Sequence, residues 1–237
     1  LTAHFDHIVG DNGQKLMGAI DNASGISVIL ETARKLNVEA KKKVFKDDIV
    51  IVAYNAEETG LNGSNEFMKK YNKKYNKCYN INIDCVGAKN CMELAMGNND
   101  VKSEKLYSAM RELFNEEGVA YNDNIYATKN GVLRGTSDHQ IFRMYGYPSL
   151  VLGDDNIIDI VHTNNDNLDN IDYSDLEKLS EVLFKFISEN VFFVSEISNS
   201  FLSELFSIIC TESSYIQISL LLSWYFNSII ISFDSAG

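Results

Sequence analysis

The run Ile49-Val50-Ile51-Val52 restricts the fold more than any other feature of the chain. Consecutive β-branched residues leave no polar face for water, so the run suits a short strand covered on both sides. Around it the chain alternates between two periodicities. Leu1 to His4, Cys78 to Asp84, Cys91 to Met96 and Pro148 to Leu152 read as further strands. Ile26, Ile29, Leu30, Ala33 and Leu36 have helical spacing, and so do Leu106, Met110, Leu113 and Phe114, with Ser103 as the expected N-cap and Gly118 as the stop. Asn62 to Tyr71 and Ser137 to Tyr145 fit shorter helices, and Asn130-Gly131 fits a tight turn. Asp172 opens a last helix striped by Leu176, Leu179, Val182, Leu183, Phe186 and Ile187. Strands interleaved with helices predict an α/β fold, a mostly parallel central sheet flanked by helices on both faces.

The charge balance narrows the partners. Lys and Arg number 21 against 33 Asp and Glu, so the net charge is 21 − 33 = −12. Such a surface repels phosphate, and no nucleic-acid partner is expected. Carboxylates in this number suit cations or metal ions instead. The 4 cysteines contain no CxxC and read neither as a disulfide framework nor as a thiolate zinc site. The two ends are unusual. Leu1 opens a strand, and no basic segment or apolar signal region follows it, so a fragment or processed form, truncated at the amino terminus, is expected. Residues 191–237 carry no Lys or Arg and are set apart from residues 1–190 as an apolar, serine-rich tail of unassigned role. Ser213 to Phe233 is uncharged and long enough to cross a bilayer, yet Gln217, Asn227 and its serines make a poor spanning helix. No membrane partner is expected except through that segment. Removing residues 191–237 is expected to leave the site formed by the residues up to His162 intact and to improve solubility.

In open α/β sheets, ligands bind beyond the carboxyl ends of the strands. His4 ends the first strand, and the following loop delivers Asp21. The Ile49 strand leads into Glu57-Glu58, the Tyr79 strand ends at Asp84, and the loop after the Pro148 strand holds His162. Two imidazoles and four carboxylates thus arrive at one edge of one sheet, with Asp6 as a possible support. Each has an ordinary reading alone: a chance His-x-Asp, a solvated acidic pair near a helix start, a turn, a strand end, a polar loop. Their joint placement is what points to chemistry. Nitrogen and oxygen donors of this kind suit zinc, and a carboxylate able to bridge suits a pair of ions.

The series resembles the M28 metallopeptidases, zinc aminopeptidases with two co-catalytic metals. The resemblance rests on Ala3-His4-Phe5-Asp6, Gly18 to Gly25, Asn55 to Ser64, Asn82-Ile83-Asp84, Gly135 to His139 and Val161 to Asp166, in the family's order. It implies a zinc-exopeptidase-like fold over residues 1–190, two Zn2+ ions, and peptide substrates with a free amino terminus. His4 and Asp84 would bind one ion, Glu58 and His162 the other, and Asp21 would bridge them. Glu57 would be the general base, and Asp6 would hydrogen-bond His4 and fix its tautomer. The resemblance also implies a cis peptide bond between Asp21 and Asn22, and it leans toward a secreted or cell-envelope protein. It places Ser137, Asp138 and His139 beside the substrate cleft, where an N-capping serine with polar neighbours is the preferred reading. His7 and the cysteines read as structural. Two other functions stay open: a glutaminyl-cyclase-like enzyme with one zinc, and a catalytically inactive M28-like binding domain.

Overall fold

Ile49 and Ile51 turn to one face of the sheet and Val52 and Tyr54 to the other, and all four are buried. The computed structural model that shows this describes residues 1–10, 13–43, 45, 47–74, 77–91, 93–96, 100–123, 128–129, 132–133, 135–189 and 228–233. In chain order the elements are β1 (Thr2–His4), α1 (Gly25–Ala40), β2 (Ile49–Tyr54), α2 (Asn62–Tyr71), β3 (Asn80–Ile83), β4 (Leu94–Ala95), α3 (Glu104–Glu117) and β5 (Tyr121–Asn122). There follow β6 (Thr128–Lys129), β7 (Val132–Leu133), α4 (His139–Met144), β8 (Ser149–Asp154), α5 (Tyr173–Ser188) and β9 (Ser228–Phe233). The main sheet has seven strands in the order β5-β4-β8-β3-β1-β2-β9. Its centre, β8-β3-β1-β2, is parallel, while β4 runs antiparallel to β8 and β9 antiparallel to β2. β6 and β7 form a separate antiparallel pair.

Helices cover both faces. On one side Ala3, Ile49, Ile51, Ile81, Ile83, Leu150 and Leu152 pack against α1, α3 and α5 through Val28, Leu36, Met110, Phe114, Leu183 and Phe186. On the other, Val52 and Tyr54 pack against Phe67 and Met68 of α2 and Ile141 and Phe142 of α4. Beside this second core lies a buried polar chain. Ser149 Oγ donates to Asn80 Oδ1 (2.6 Å), Asn80 Nδ2 to Thr2 Oγ1 (2.9 Å), Thr2 Oγ1 to Asn82 Oδ1 (2.6 Å), and Asn82 Nδ2 to Ser137 Oγ (2.7 Å). Three strands and the approach to α4 are thereby joined by side chains as well as by the backbone ladder.

The local signals fare unevenly. Asp172 caps α5 by accepting from the Ser174 amide, and Gly118 ends α3 at φ 68°. Ser103 precedes α3 but caps nothing with its side chain: its hydroxyl donates to Asp100 and accepts from the Ser149 amide. Asp100 is the residue that caps, accepting from the Lys102 amide. The strand expected over Cys91 to Met96 shrinks to Leu94–Ala95, and β5 was not anticipated. Asn130-Gly131 lies outside the described residues, as does most of the tail. Within the tail, β9 pairs with β2 from Ile49↔Phe233 to Tyr54↔Ser228. Among the described residues no helix is long and apolar enough to cross a membrane.

Two expected outcomes follow from this arrangement. Removing residues 191–237 strips the outer edge of β2, and an unpaired edge invites pairing with another chain. The truncated protein should self-associate more than the full chain at equal concentration by light scattering, against the gain in solubility that composition suggests. Equal scattering would show that β9 does not protect that edge. The second concerns His139, buried at 6% exposure. Burial, helped by Arg143, lowers its imidazole from 6.5 to about 3. The unfolded chain therefore binds the extra proton between those values, and stability present above pH 6.5 is lost as pH falls toward about 3. His139→Gln should flatten that loss by up to about 1.4 kcal/mol per pH unit, read from urea unfolding across the range.

Candidate metal centre

Two parallel strands, β1 and β3, and the turn before α1 deliver the first half of the site. β1 ends at His4, between β2 and β3, and the His4 side chain is 1% exposed. Its Nδ1 lies 3.1 Å from the Asp6 carbonyl oxygen, which can only accept, so Nδ1 carries a hydrogen. That leaves Nε2 facing two carboxylates, Asp84 Oδ1 and Asp21 Oδ1, each at 3.2 Å. A ring nitrogen held this way binds either a proton or a cation.

The second half repeats the pattern. His162 Nε2 lies 2.9 Å from Asp21 Oδ2 and 3.1 Å from Glu58 Oε2. Asp21 therefore turns one oxygen to the His4–Asp84 pair and the other to the His162–Glu58 pair. His4, Asp21 and Asp84 bring donor atoms within 4.8 Å of one another, and His7, Asp21 and Glu58 do the same. The imidazole of His162 is 46% exposed, which sets the solvent side of the site.

The loops that aim these side chains are tied to one another. Asp6 Oδ1 accepts from the Glu57 amide (3.0 Å) and Oδ2 from the Glu58 amide (3.1 Å), which fixes the turn after β2 against the end of β1. Asp6 also hydrogen-bonds His4, as the resemblance implies: its carbonyl oxygen stands 3.1 Å from His4 Nδ1, and its carboxylate lies 3.6 Å from the same nitrogen. Asn22 donates to the Ile83 carbonyl and accepts from the Gly25 and Cys85 amides, joining the Asp21 loop to the end of β3. A Cβ on Gly25 would lie 2.4 Å from Asn22 Oδ1 and 2.6 Å from the Ile83 carbonyl oxygen, so this close approach needs glycine. Asp166, fully buried, accepts from the Ile20 and Asp21 amides. The Asp21–Asn22 peptide bond is cis, the form the resemblance implies. Ala56, Cys85 and His162, each in or beside a ligand-bearing turn, have φ near +60°. Such conformations cost a non-glycine residue about 1–2 kcal/mol and persist where surrounding contacts impose them.

The electrostatics fit a cation. Burial alone would lower His4, but Asp84, Asp21 and Asp6 raise its imidazole well above the usual value. Asp21 and Glu58 raise His162 to about 10. Burial works against Asp21, yet His162 and His4 hold its carboxyl well below the ordinary range. Burial, with Asp84 close by, pushes Glu57 up to about 9. Asp138 is raised to about 7, again chiefly by burial. Protons on His4 and His162 thus do what a metal ion would do, and these nitrogen and oxygen donors are the ligand types zinc takes.

The structure brings His4, Asp21, Glu58, Asp84 and His162 together, with Glu57 and Asp6 beside them. It also adds residues that sequence reasoning missed. His7, read as structural, stands at the Glu58 side, 3.4 Å from Glu58 Oε1. In sequence Asp166 belongs to a polar loop, and the hint it offers is its place four residues after His162. Ser137, Asp138 and His139 are all buried, and Ser137 accepts from Asn82 rather than capping α4.

Residues 1–187 match the model of Peptidase family M28, and the chain belongs to that family. Aminopeptidase YwaD of Bacillus subtilis is 29% identical over 200 residues, 81% of this chain and 40% of that protein. Among solved structures, BSAP, a zinc aminopeptidase from Bacillus subtilis, aligns with a TM-score of 0.62 and 26% identity over 79% of this chain and 44% of that one. The LapA aminopeptidase of Legionella pneumophila shares the fold at a TM-score of 0.66 and 23% identity, over 83% of this chain and 50% of that one. The chain therefore spans half or less of the length of each of these relatives.

Asp166→Asn tests the support of Asp21. The amide keeps one acceptor oxygen but sets an NH2 group against one of the two backbone N–H groups that the carboxylate now binds. Zinc affinity should fall by about 10–100-fold, the usual effect of losing a partner behind a ligand. Titration against a chromophoric chelator measures it, and wild-type affinity would show that Asp166 does not position Asp21.

Proposed function

We propose that this chain carries the catalytic site of a metallo-aminopeptidase, which hydrolyses the amino-terminal peptide bond of peptides with two zinc ions. The observation that carries the reading is the Asp21 carboxylate, one oxygen on His4 and the other on His162, with a further acid, Glu57, half-buried at the same edge. Membership of family M28 and the aminopeptidase relatives support it. His4, Asp84 and Asp21 would hold one ion, and Glu58, His162 and Asp21 the other. Zinc, when bound, polarises the scissile carbonyl and acidifies the attacking water.

The chain's own groups do the rest. Glu57 takes the proton from the water as it attacks and returns it to the leaving amine. Its carboxyl, raised to about 9 by burial and by Asp84, is a strong enough base to hold that proton in the interval. A neighbouring cation draws the value back toward working pH, where general-base catalysis is most efficient. Asp6 is a positioning residue: by gripping two successive amides it aims Glu57 and Glu58 differently from adjacent positions. The acidic surroundings favour a substrate that presents a cationic amino terminus.

Glu57→Gln and Glu58→Gln test these roles as a pair. Glu57→Gln keeps the size of the side chain but cannot take the proton, so aminoacyl-substrate turnover should fall by about 10²–10⁴ with zinc content unchanged. Glu58→Gln should lose or weaken one ion, with activity following. Rates and zinc content are measured for both in one buffer. Near wild-type turnover in Glu57→Gln, or zinc loss from it, would overturn the assignment, and one zinc per wild-type chain would overturn the two-ion reading.

A further inference from the structure

His7 has no part in the roles above. Its side chain is only 14% exposed, and neither ring nitrogen makes a hydrogen bond. Buried polar groups without a partner are rare, and each calls for a reason. The ring is also held in place. It lies against Gly18, where a Cβ would stand 2.7 Å from His7 Cγ, and it meets the His162 ring at 6.0 Å between centroids, inclined by 64°. Nδ1 stands 3.4 Å from Glu58 Oε1, just beyond the about 2.7–3.2 Å of a direct hydrogen bond. A fourth protein ligand is not the meaning of this spacing. Asp21, Glu58 and His162 already supply one side of the site, and a catalytic zinc keeps its fourth place for water.

The threat to that open place is Glu58 itself, because a carboxylate can bind a cation through one oxygen or through both. His162 does not choose between them: its Nε2 stands 3.2 Å from Oε1 and 3.1 Å from Oε2. His7 does choose, because its Nδ1 faces Oε1. Its Nε2 is buried with no acceptor, so the ring hydrogen belongs on Nδ1, which has an acceptor close by. A small turn of the Glu58 carboxylate completes the bond.

We propose that His7 is a positioning residue: its Nδ1–H holds Glu58 Oε1, so that Glu58 offers the ion beside His162 only Oε2, and a place stays open for the attacking water. This rests on the metallopeptidase reading above and deepens it. It also gives Gly18 a purpose, since any side chain there would push the ring away from its present place beside Glu58.

The test uses the full chain as wild type, His7→Phe and His7→Asn. Phe fills the space of the ring without a donor, whereas the Asn amide can place an N–H where Nδ1 stands. Each is stripped of metal, then loaded with Zn2+ for rates and zinc content and with Co2+ for visible absorption, and folding is checked by circular dichroism. His7→Phe should bind as much zinc as wild type, yet lose about 10–100-fold in kcat with KM little changed. Its cobalt bands should weaken, the mark of an ion that has gained an oxygen ligand. His7→Asn should recover both toward wild type, which a space-filling role for the ring would not produce. Wild-type kcat and cobalt bands in His7→Phe, loss of zinc from it, or equal losses in both variants would overturn the proposal. Nitrogen NMR of zinc-loaded wild type needs no substitution and decides the matter should His7→Phe fail to fold. His7 should carry its hydrogen on Nδ1 and bind no zinc, and a hydrogen on Nε2 alone or a zinc-bound ring would overturn this inference while sparing the metallopeptidase reading. No zinc uptake by wild type would overturn that reading and this inference with it.

Discussion

Asp21, Glu57, Glu58 and Asp84 crowd their carboxyl groups against two imidazoles at the end of a buried sheet. Charge taken out of water is costly unless it is paired. The electrostatics record that need: the surrounding acids raise the imidazoles of His4 and His162, and burial with Asp84 close by raises Glu57. The demand for positive charge at this edge explains why imidazole nitrogens point at acids rather than at hydrogen-bond donors. It also explains why the site sits where parallel strands end together. Only there can ligands far apart in sequence, His4 and Asp84 with His162, meet without long flexible loops.

The scaffold holds those acids by giving each loop an anchor in another loop. Asp6 grips the turn after β2, Asn22 grips the end of β3, and Asp166 grips the turn that carries Asp21. Each anchor is itself polar and buried or half-buried, so it is satisfied only when the loops are correctly placed. The left-handed residues Ala56, Cys85 and His162 show the same over-determination from the backbone side. Repulsion among the acids is thus borne by a web of amide contacts rather than relieved by spreading them apart.

Much of this was legible in the sequence, for reasons that are local. Ile49 to Val52 announced a doubly covered strand because four β-branched residues permit little else. Asp172 and Gly118 announced helix ends because caps act within a few residues. The site ligands could be ordered because they follow strands. What was not legible depends on partners far along the chain. Ser103 has the residue type of a cap, but Asp100 and the Ser149 amide claim its hydroxyl. Asn80 and Asn82 read as the polar side of an alternating strand, yet they are buried at 2% and 0% exposure. His7 looked like a bystander because nothing in its neighbours in sequence says that Glu58 will stand beside it.

The polar chain from Ser149 through Asn80, Thr2 and Asn82 to Ser137 carries a consequence for how this sheet can vary. Every link has a direction, hydroxyl or amide hydrogen to the next oxygen, so each inner residue is a donor to one neighbour and an acceptor from the other. Replacing one member by an apolar residue leaves a stranded group on each side of the gap, and a buried network half satisfied is worse than none. These positions are free to drift only in concert, whereas the leucines and isoleucines on the opposite face can be exchanged one at a time for others of similar volume. The chain also acts as a ruler. Sliding β3 by two residues against β1 would return apolar side chains to the same face and put one asparagine where the other stood, but Cys78 or Asp84 would take the vacated place and interrupt the chain, so hydrogen bonds as well as hydrophobic pattern favour the alignment that places Asp84 next to His4.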